Sequence, residues 1–237
     1  MQDPVLILGA TGTLGGAIAR RLAAAGPVIV HGHRSDNRLD AIASATSGRA
    51  VAADLADPRA VSELFAGIDR LAGMVFAVAS AFPHKLAHRT SWDVFSAQID
   101  SQLKALHLSC AAALPALRDR ADGARVLVLS TEYVLGMPPI KIAPYVAAKA
   151  AMTAYARVVA QEWLALGIRV HVLAPGMVQS KLIADLPQEY LDQVAQGMPE
   201  ERLTSPEDVT GIAAFLMSPE ADALYGTIVP ASRAGRR

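Results

Sequence analysis

The sequence predicts a single α/β domain, a doubly wound parallel sheet of about seven strands with helices on both faces. Three observations predict it. Short apolar runs rich in Val, Ile and Leu alternate with helical stretches along the whole chain, with no linker, repeat or low-complexity block between them. The first run passes through a glycine-rich turn straight into a helix. The polar and glycine-containing motifs all follow strands, and the carboxyl ends of strands are where such sheets bind ligands.

Pro4-Val5-Leu6-Ile7-Leu8 is the first strand, a buried aliphatic run. Gly9-Ala10-Thr11-Gly12-Thr13-Leu14-Gly15-Gly16 is the turn, and Ala17 to Ala25 the first helix, closed by Gly26. Val28-Ile29-Val30 is the second strand and Ala50 to Ala53 the third, ending in Asp54-Leu55-Ala56-Asp57-Pro58, where a helix begins. Met74 to Val78 is the fourth; a polar stretch from Phe82 to Ser91 then leads into a long helix over Trp92 to Leu117. Val126 to Leu129 is the fifth strand, followed by a helix carrying Tyr145 and Lys149 to about Leu166. Val170 to Leu173 is the sixth strand, Val209 to Met217 the last helix, and Thr227 to Val229 the seventh strand. Arg233 to Arg237 reads as a frayed basic tail.

The composition narrows the function. The 237 residues are 52% hydrophobic and 19% charged with no net formal charge, enough for one large domain and without the basic stripe of a nucleic-acid binder. No apolar run approaches the ~20 residues of a membrane span, and the amino terminus runs into a strand instead of a signal peptide. Cys110, the single cysteine, has no partner for a disulfide and sits in an Ala-rich helix, so it reads as a buried small apolar residue in a cytoplasmic protein.

Two motifs carry chemistry. Strand, glycine turn and helix together aim backbone N–H groups and the positive end of a helix dipole at a pyrophosphate, and glycine is needed where a Cβ would hold the phosphate away. The spacing here is Gly9-x-x-Gly12-x-x-Gly15. Tyr145 and Lys149, at i and i+4, share a helix face, and a neighbouring ammonium is expected to lower the phenol pKa so that it exchanges a proton near neutral pH.

Taken together these residues resemble the short-chain dehydrogenase/reductase family, over nearly the whole chain. The resemblance implies an NAD(P)-binding Rossmann domain and cofactor contacts from Gly9, Thr11, Gly12, Thr13, Leu14 and Gly15. Asp54 and Leu55 match the adenine-contacting segment, Ala79 the end of the fourth strand, and Tyr145-x-x-x-Lys149 the catalytic pair, with Lys149 also binding the nicotinamide ribose. Pro175, Gly176, Val178 and Ser180 match the segment after the sixth strand, with Ser180 where a Thr commonly binds the carboxamide. At His31-Gly32-His33-Arg34-Ser35, after the second strand, no carboxylate is present to repel a 2′-phosphate, whereas Arg34 and Ser35 suit one, so NADP is favoured over NAD.

The chain departs from the family in places. A Ser is expected thirteen residues before the Tyr, and Glu132 stands there; Ser130 and Thr131 are nearly equal candidates to polarise a carbonyl. Glu132 reads first as a solvated loop acid, with an acid–base role as the alternative. Gln102 replaces the usual Asn that anchors a relay water, and Ala77-Val78-Ala79-Ser80 replaces Asn-Asn-Ala-Gly. His84, Lys85, His88 and Arg89 cluster after the fourth strand but offer no third metal ligand, so no metal is expected. The segment 180–206, with Leu182, Ile183, Leu186, Tyr190, Leu191 and Met198, resembles the family's substrate lid. The expected function is NADP-dependent ketone reduction or alcohol oxidation on a small, partly hydrophobic substrate. The alternatives are a redox-neutral dehydratase, cyclase or epimerase using Glu132 or Tyr145, and a silent nucleotide-binding scaffold. The long helices match those through which the family forms dimers and tetramers, so a homo-oligomer is expected by analogy.

Overall fold

The computed structural model describes residues 2–232; the basic tail expected at 233–237 lies outside them. Seven strands form one parallel sheet in the order β3-β2-β1-β4-β5-β6-β7. They are β1 (Val5–Leu8), β2 (Val28–Gly32), β3 (Arg49–Ala52), β4 (Gly73–Phe76), β5 (Ala124–Leu129), β6 (Ile168–Pro175) and β7 (Ile228–Ala231). The doubly wound sheet predicted from the alternation is therefore what forms.

Period-two side-chain alternation divides the core between two faces. Leu6 and Leu8 of β1, Met74 and Phe76 of β4, and Val126 and Val128 of β5 face one layer. That layer is completed by α3 (Pro58–Ala66), α5 (Ala105–Leu117) and α6 (Ala143–Leu164). Ile7, Val75, Leu127 and Leu129 face the other, against α1 (Thr13–Ala23), α2 (Asn37–Thr46) and α8 (Pro206–Leu216). Cys110 is buried in the first layer, as expected of a small apolar residue.

Some elements differ from the expectation. α2 carries no strong apolar periodicity and buries only Leu39; it is started by Asp36, whose carboxylate accepts from the Arg38 and Leu39 amides. The helix expected over Trp92 to Leu117 is continuous but contains a π-turn, Asp100–Lys104, between α4 (Trp92–Ile99) and α5. The segment 180–206 holds a short helix, α7 (Gln188–Gln196). Its two ends meet where Val178 pairs with Thr204 in an isolated bridge. Among the described residues, no helix is long and apolar enough to cross a membrane.

The sheet reverses its winding between β1 and β4, since β1 lies beside both β2 and β4. A crevice opens at such a point beyond the carboxyl ends of the strands. The glycine turn follows β1 there, and Ala77 follows β4.

Candidate active site

The crevice has two parts. The first is backbone-built. Gly9 has φ +84°, and a Cβ on it would come within 2.9 Å of the Ala77 carbonyl oxygen. A Cβ on Gly15 would collide with the Gly9 carbonyl oxygen. Gly12 caps α1 without any side-chain hydrogen bond, and the first turn of α1 carries no acidic residue. The first-turn amides of a helix have no carbonyl of their own to bind, so this positive terminus suits a diphosphate. The cradle therefore fits the nucleotide it was expected to hold. Arg34 and Ser35 are exposed beside it. Asp36, the nearest carboxylate after β2, is committed to capping α2. Asp54 is exposed at the end of β3, with His33 Nδ1 3.9 Å from its carboxylate, and Leu55 is buried.

The second part is a cavity of about 540 Å³ with mostly apolar walls. Tyr145, Ser130 and Thr131 face it, as do Leu14, Pro175, Gly176, Val178 and Ser180. Leu182, Ile183, Leu186 and Tyr190 of the expected lid close one side, while Leu191 and Met198 are not part of the wall. Of the cationic cluster after β4, His84 reaches the wall and Lys85, His88 and Arg89 do not.

α6 presents Tyr145 and Lys149 on one face, as the spacing required, with the Lys149 ammonium 5.9 Å from the centre of the Tyr145 ring. Lys149 Nζ donates to the Leu129 carbonyl at 2.7 Å and to the Val78 carbonyl at 3.4 Å, joining the ends of β5 and β4. The electrostatics correct the expectation of a lowered phenol pKa. Burial pushes Tyr145 up to about 12, with a hydrogen bond to the Thr131 side chain pulling the other way. Burial also lowers Lys149 to about 7. In each case desolvation of the charged form is the leading cause.

The two hydroxyls after β5 have different surroundings. Ser130 Oγ lies 2.6 Å from Thr153 Oγ1 on α6, in a buried pair. Thr131 Oγ1 accepts from the Tyr133 amide at 3.5 Å, and its side chain offsets part of the effect of burial on the Tyr145 phenol. Glu132 is not the solvated loop acid its setting suggested: it is 6% exposed. One of its carboxylate oxygens lies 3.2 Å from the Cβ position of Gly176, a position equally close to Thr204 Oγ1. Gln102 is fully buried inside the π-turn. Its amide nitrogen donates to Gln98 Oε1 at 2.7 Å, and its own side-chain carbonyl oxygen has no partner among the described residues. Ala79 is exposed at the end of β4.

Sequence reasoning passed over several contributors, among them Phe82, Ile140 and Met177. Phe82 stacks on Tyr145 with ring centroids 5.2 Å apart and planes 14° apart, covering the phenol. Ile140 and Met177 add apolar wall. Phe82 and Met177 lie just past β4 and β6, and that placement at strand ends was the available signal. Lys141, also in the wall, takes φ +69°, unusual for a residue with a side chain. That strained corner lies in the loop that holds the residue beyond the expected thirteen between Thr131 and Tyr145.

Comparison with known proteins agrees with this geometry. The enoyl-(acyl carrier protein) reductase family model matches residues 9–232. Dehydrogenase/reductase SDR family member 4 of Oryctolagus cuniculus is 30% identical, covering 100% of this chain and 96% of its own. The chain belongs to the short-chain dehydrogenase/reductase superfamily. As a member it is an NAD(P)-dependent oxidoreductase of small molecules. The 3-oxoacyl-[acyl-carrier-protein] reductase FabG of Rickettsia bellii is 28% identical, over 93% of this chain and 91% of that protein. The solved structure of YwfH, an NADPH-dependent reductase involved in bacilysin biosynthesis, superposes with a TM-score of 0.88 at 19% identity, over 100% of this chain and 99% of the other, which shows the shared fold.

Proposed function

We propose that this dehydrogenase/reductase is an NADP-dependent ketone reductase, equally an alcohol dehydrogenase in reverse, for a small and partly hydrophobic substrate. The carrying observation is that Tyr145, with Lys149 on the same face of α6, lines an apolar cavity together with Ser130 and Thr131 beside the glycine cradle. When bound, the nicotinamide supplies or accepts the hydride. The amides of Thr11, Thr13, Leu14 and Gly15 would hold the phosphates in the turn that Gly9 and Gly12 shape; Asp54, Leu55 and Ala79 would flank the nucleoside, and Pro175, Gly176, Val178 and Ser180 the nicotinamide end. Arg34 would select the 2′-phosphate by a charge-assisted fork, with the Ser35 hydroxyl as a further donor.

Thr131 donates a hydrogen bond to the substrate carbonyl, and the Tyr145 phenol passes its proton to the forming alkoxide. A phenol held at about 12 is fully protonated at neutral pH, which suits it to act as the acid in reduction. Lys149, when protonated, stabilises the phenolate left behind. The partnerless carbonyl oxygen of Gln102 can hold the water that returns a proton. Ser130 supports α6 through Thr153 in this scheme. The Rickettsia relative's name points to ketones carried on an acyl chain, and the apolar cavity is compatible with such a body. We further infer a homo-oligomer, with exposed Trp92 on α4 and Val158 on α6 at the contact.

A second reading rests on Glu132. A buried carboxylate beside the cavity wall could serve redox-neutral acid–base chemistry. The deciding experiment is a fluorescence titration of NADPH and NADH into wild type and Arg34→Ala, followed by a carbonyl panel. The proposal expects NADPH to bind more tightly than NADH, that preference to vanish in Arg34→Ala, and NADPH to be consumed. Turnover without loss of NADPH absorbance would favour the Glu132 reading. Binding of neither nucleotide would leave a silent scaffold.

A further inference from the structure

His31 is the fourth residue of β2 and is 2% exposed. Its Nδ1 receives the Gly9 N–H at 3.2 Å, and its Nε2 lies 3.0 Å from the Ala53 carbonyl oxygen. Its own carbonyl accepts the Ala10 N–H at 2.8 Å. One residue thus ties the strand in the middle of three to the glycine turn on one side and to the end of β3 on the other. Gly9 N–H needs an acceptor and the Ala53 carbonyl needs a donor. Only the neutral imidazole protonated on Nε2 satisfies both. With the Gly9 and Ala10 amides turned inward to β2, phosphate binding falls to the later amides of the turn and of α1.

We propose that His31, as its Nε2–H tautomer, is a positioning residue that fixes the glycine turn against the Ala53–Leu55 segment and thereby sets dinucleotide affinity. The role rests on the nucleotide site described above. It differs from a packing role because the ring must accept on one nitrogen and donate on the other. A charged imidazole would point a second proton at Gly9 N–H. Burial keeps that form away by lowering the pKa to about 4; the hydrogen bond to Ala53 opposes the shift, nearby His33 adds to it, and Asp54 opposes it.

The test has two arms on the full chain. In a long-range ¹H–¹⁵N correlation spectrum, the signals lost in His31→Asn identify the ring. The Nε2–H tautomer at neutral pH, unprotonated down to about pH 5, is the expected result; an Nδ1–H tautomer or a cationic ring at neutral pH overturns the proposal. In titrations with NADPH and NADH, His31→Phe should bind about tenfold more weakly, the scale expected for lost buried hydrogen bonds. His31→Asn keeps an acceptor for Gly9 and His31→Gln a donor for Ala53, so each should recover part of the loss. These two also carry the test if His31→Phe does not fold. Wild-type affinity in folded His31→Phe, or in both partial variants, overturns the role while leaving the cofactor reading intact. A wild type that binds neither nucleotide overturns that reading and this role together.

Discussion

The nucleotide half of the crevice and the substrate half are built from different materials. Around β1, β2 and β3 the shape is made by backbone: Gly9 and Gly15 pass so close to neighbouring carbonyls that a Cβ would not fit, and His31 and Asp36 bond to main-chain amides. Around β5, β6 and α7 the shape is made by side chains, among them Ile140, Leu182, Leu186 and Tyr190. Backbone geometry tolerates little variation, whereas an apolar wall can exchange one residue for another at about 1–3 kcal/mol of discrimination. The first half therefore defines the superfamily, and the second defines what this member accepts.

The largest expected effect breaks the chemistry while sparing the nucleotide half. Tyr145→Phe should lower kcat by about 10²–10⁴-fold with NADPH binding unchanged, as measured by turnover and fluorescence titration. Unchanged turnover would remove the phenol from the reaction. Thr131→Val should cost roughly 10²-fold in kcat, the scale of a lost donor to developing negative charge. Ser130→Ala should instead cost about 1 kcal/mol of stability and little activity, because its hydroxyl serves Thr153. Equal kinetic losses in the two variants would refute the assignment. In the backbone-built half the pattern should reverse. Gly15→Ala should abolish nucleotide binding and leave the apolar cavity able to bind a hydrophobic fluorophore.

Most of the fold was legible in the sequence because its strands are continuous aliphatic runs and its motifs fall at their ends. α2 was not, since its position at the rim of the sheet buries only Leu39; Asp36 was the available start signal. The π-turn at Asp100–Lys104 has no composition of its own and shows only in hydrogen-bond register. Within the site, the i,i+4 placement of Tyr145 and Lys149 was readable, but the direction of the Tyr145 shift was not. Local spacing reports the nearby ammonium, whereas the burial that prevails involves residues far along the chain, among them Phe82, sixty-three positions away and stacked on the ring. Glu132 was misjudged for the same reason: Gly176, whose Cβ position lies 3.2 Å from its carboxylate, is distant in sequence.

A separate effect, on stability alone, concerns the lysine joining the strand ends. Lys149 holds its proton less tightly when folded, at about 7, than the ordinary 10.5. Unfolding therefore takes up a proton between those values, and its contribution makes stability rise with pH from about 7 to about 10.5. Denaturant titrations across that range should show the rise in wild type and a flatter profile in Lys149→Met. Identical slopes would show that the burial of the ammonium is relieved in solution.

We propose that this site reduces a carbonyl with NADPH, using Tyr145 as the acid. The most direct measurement is NADPH consumption at 340 nm against a panel of aliphatic and 3-oxoacyl ketones, wild type beside Tyr145→Phe. The account predicts oxidation of NADPH by wild type with at least one ketone, and near-complete loss in the variant. A wild type that binds NADPH tightly yet oxidises none of it across the panel, or a variant as active as wild type, would contradict it.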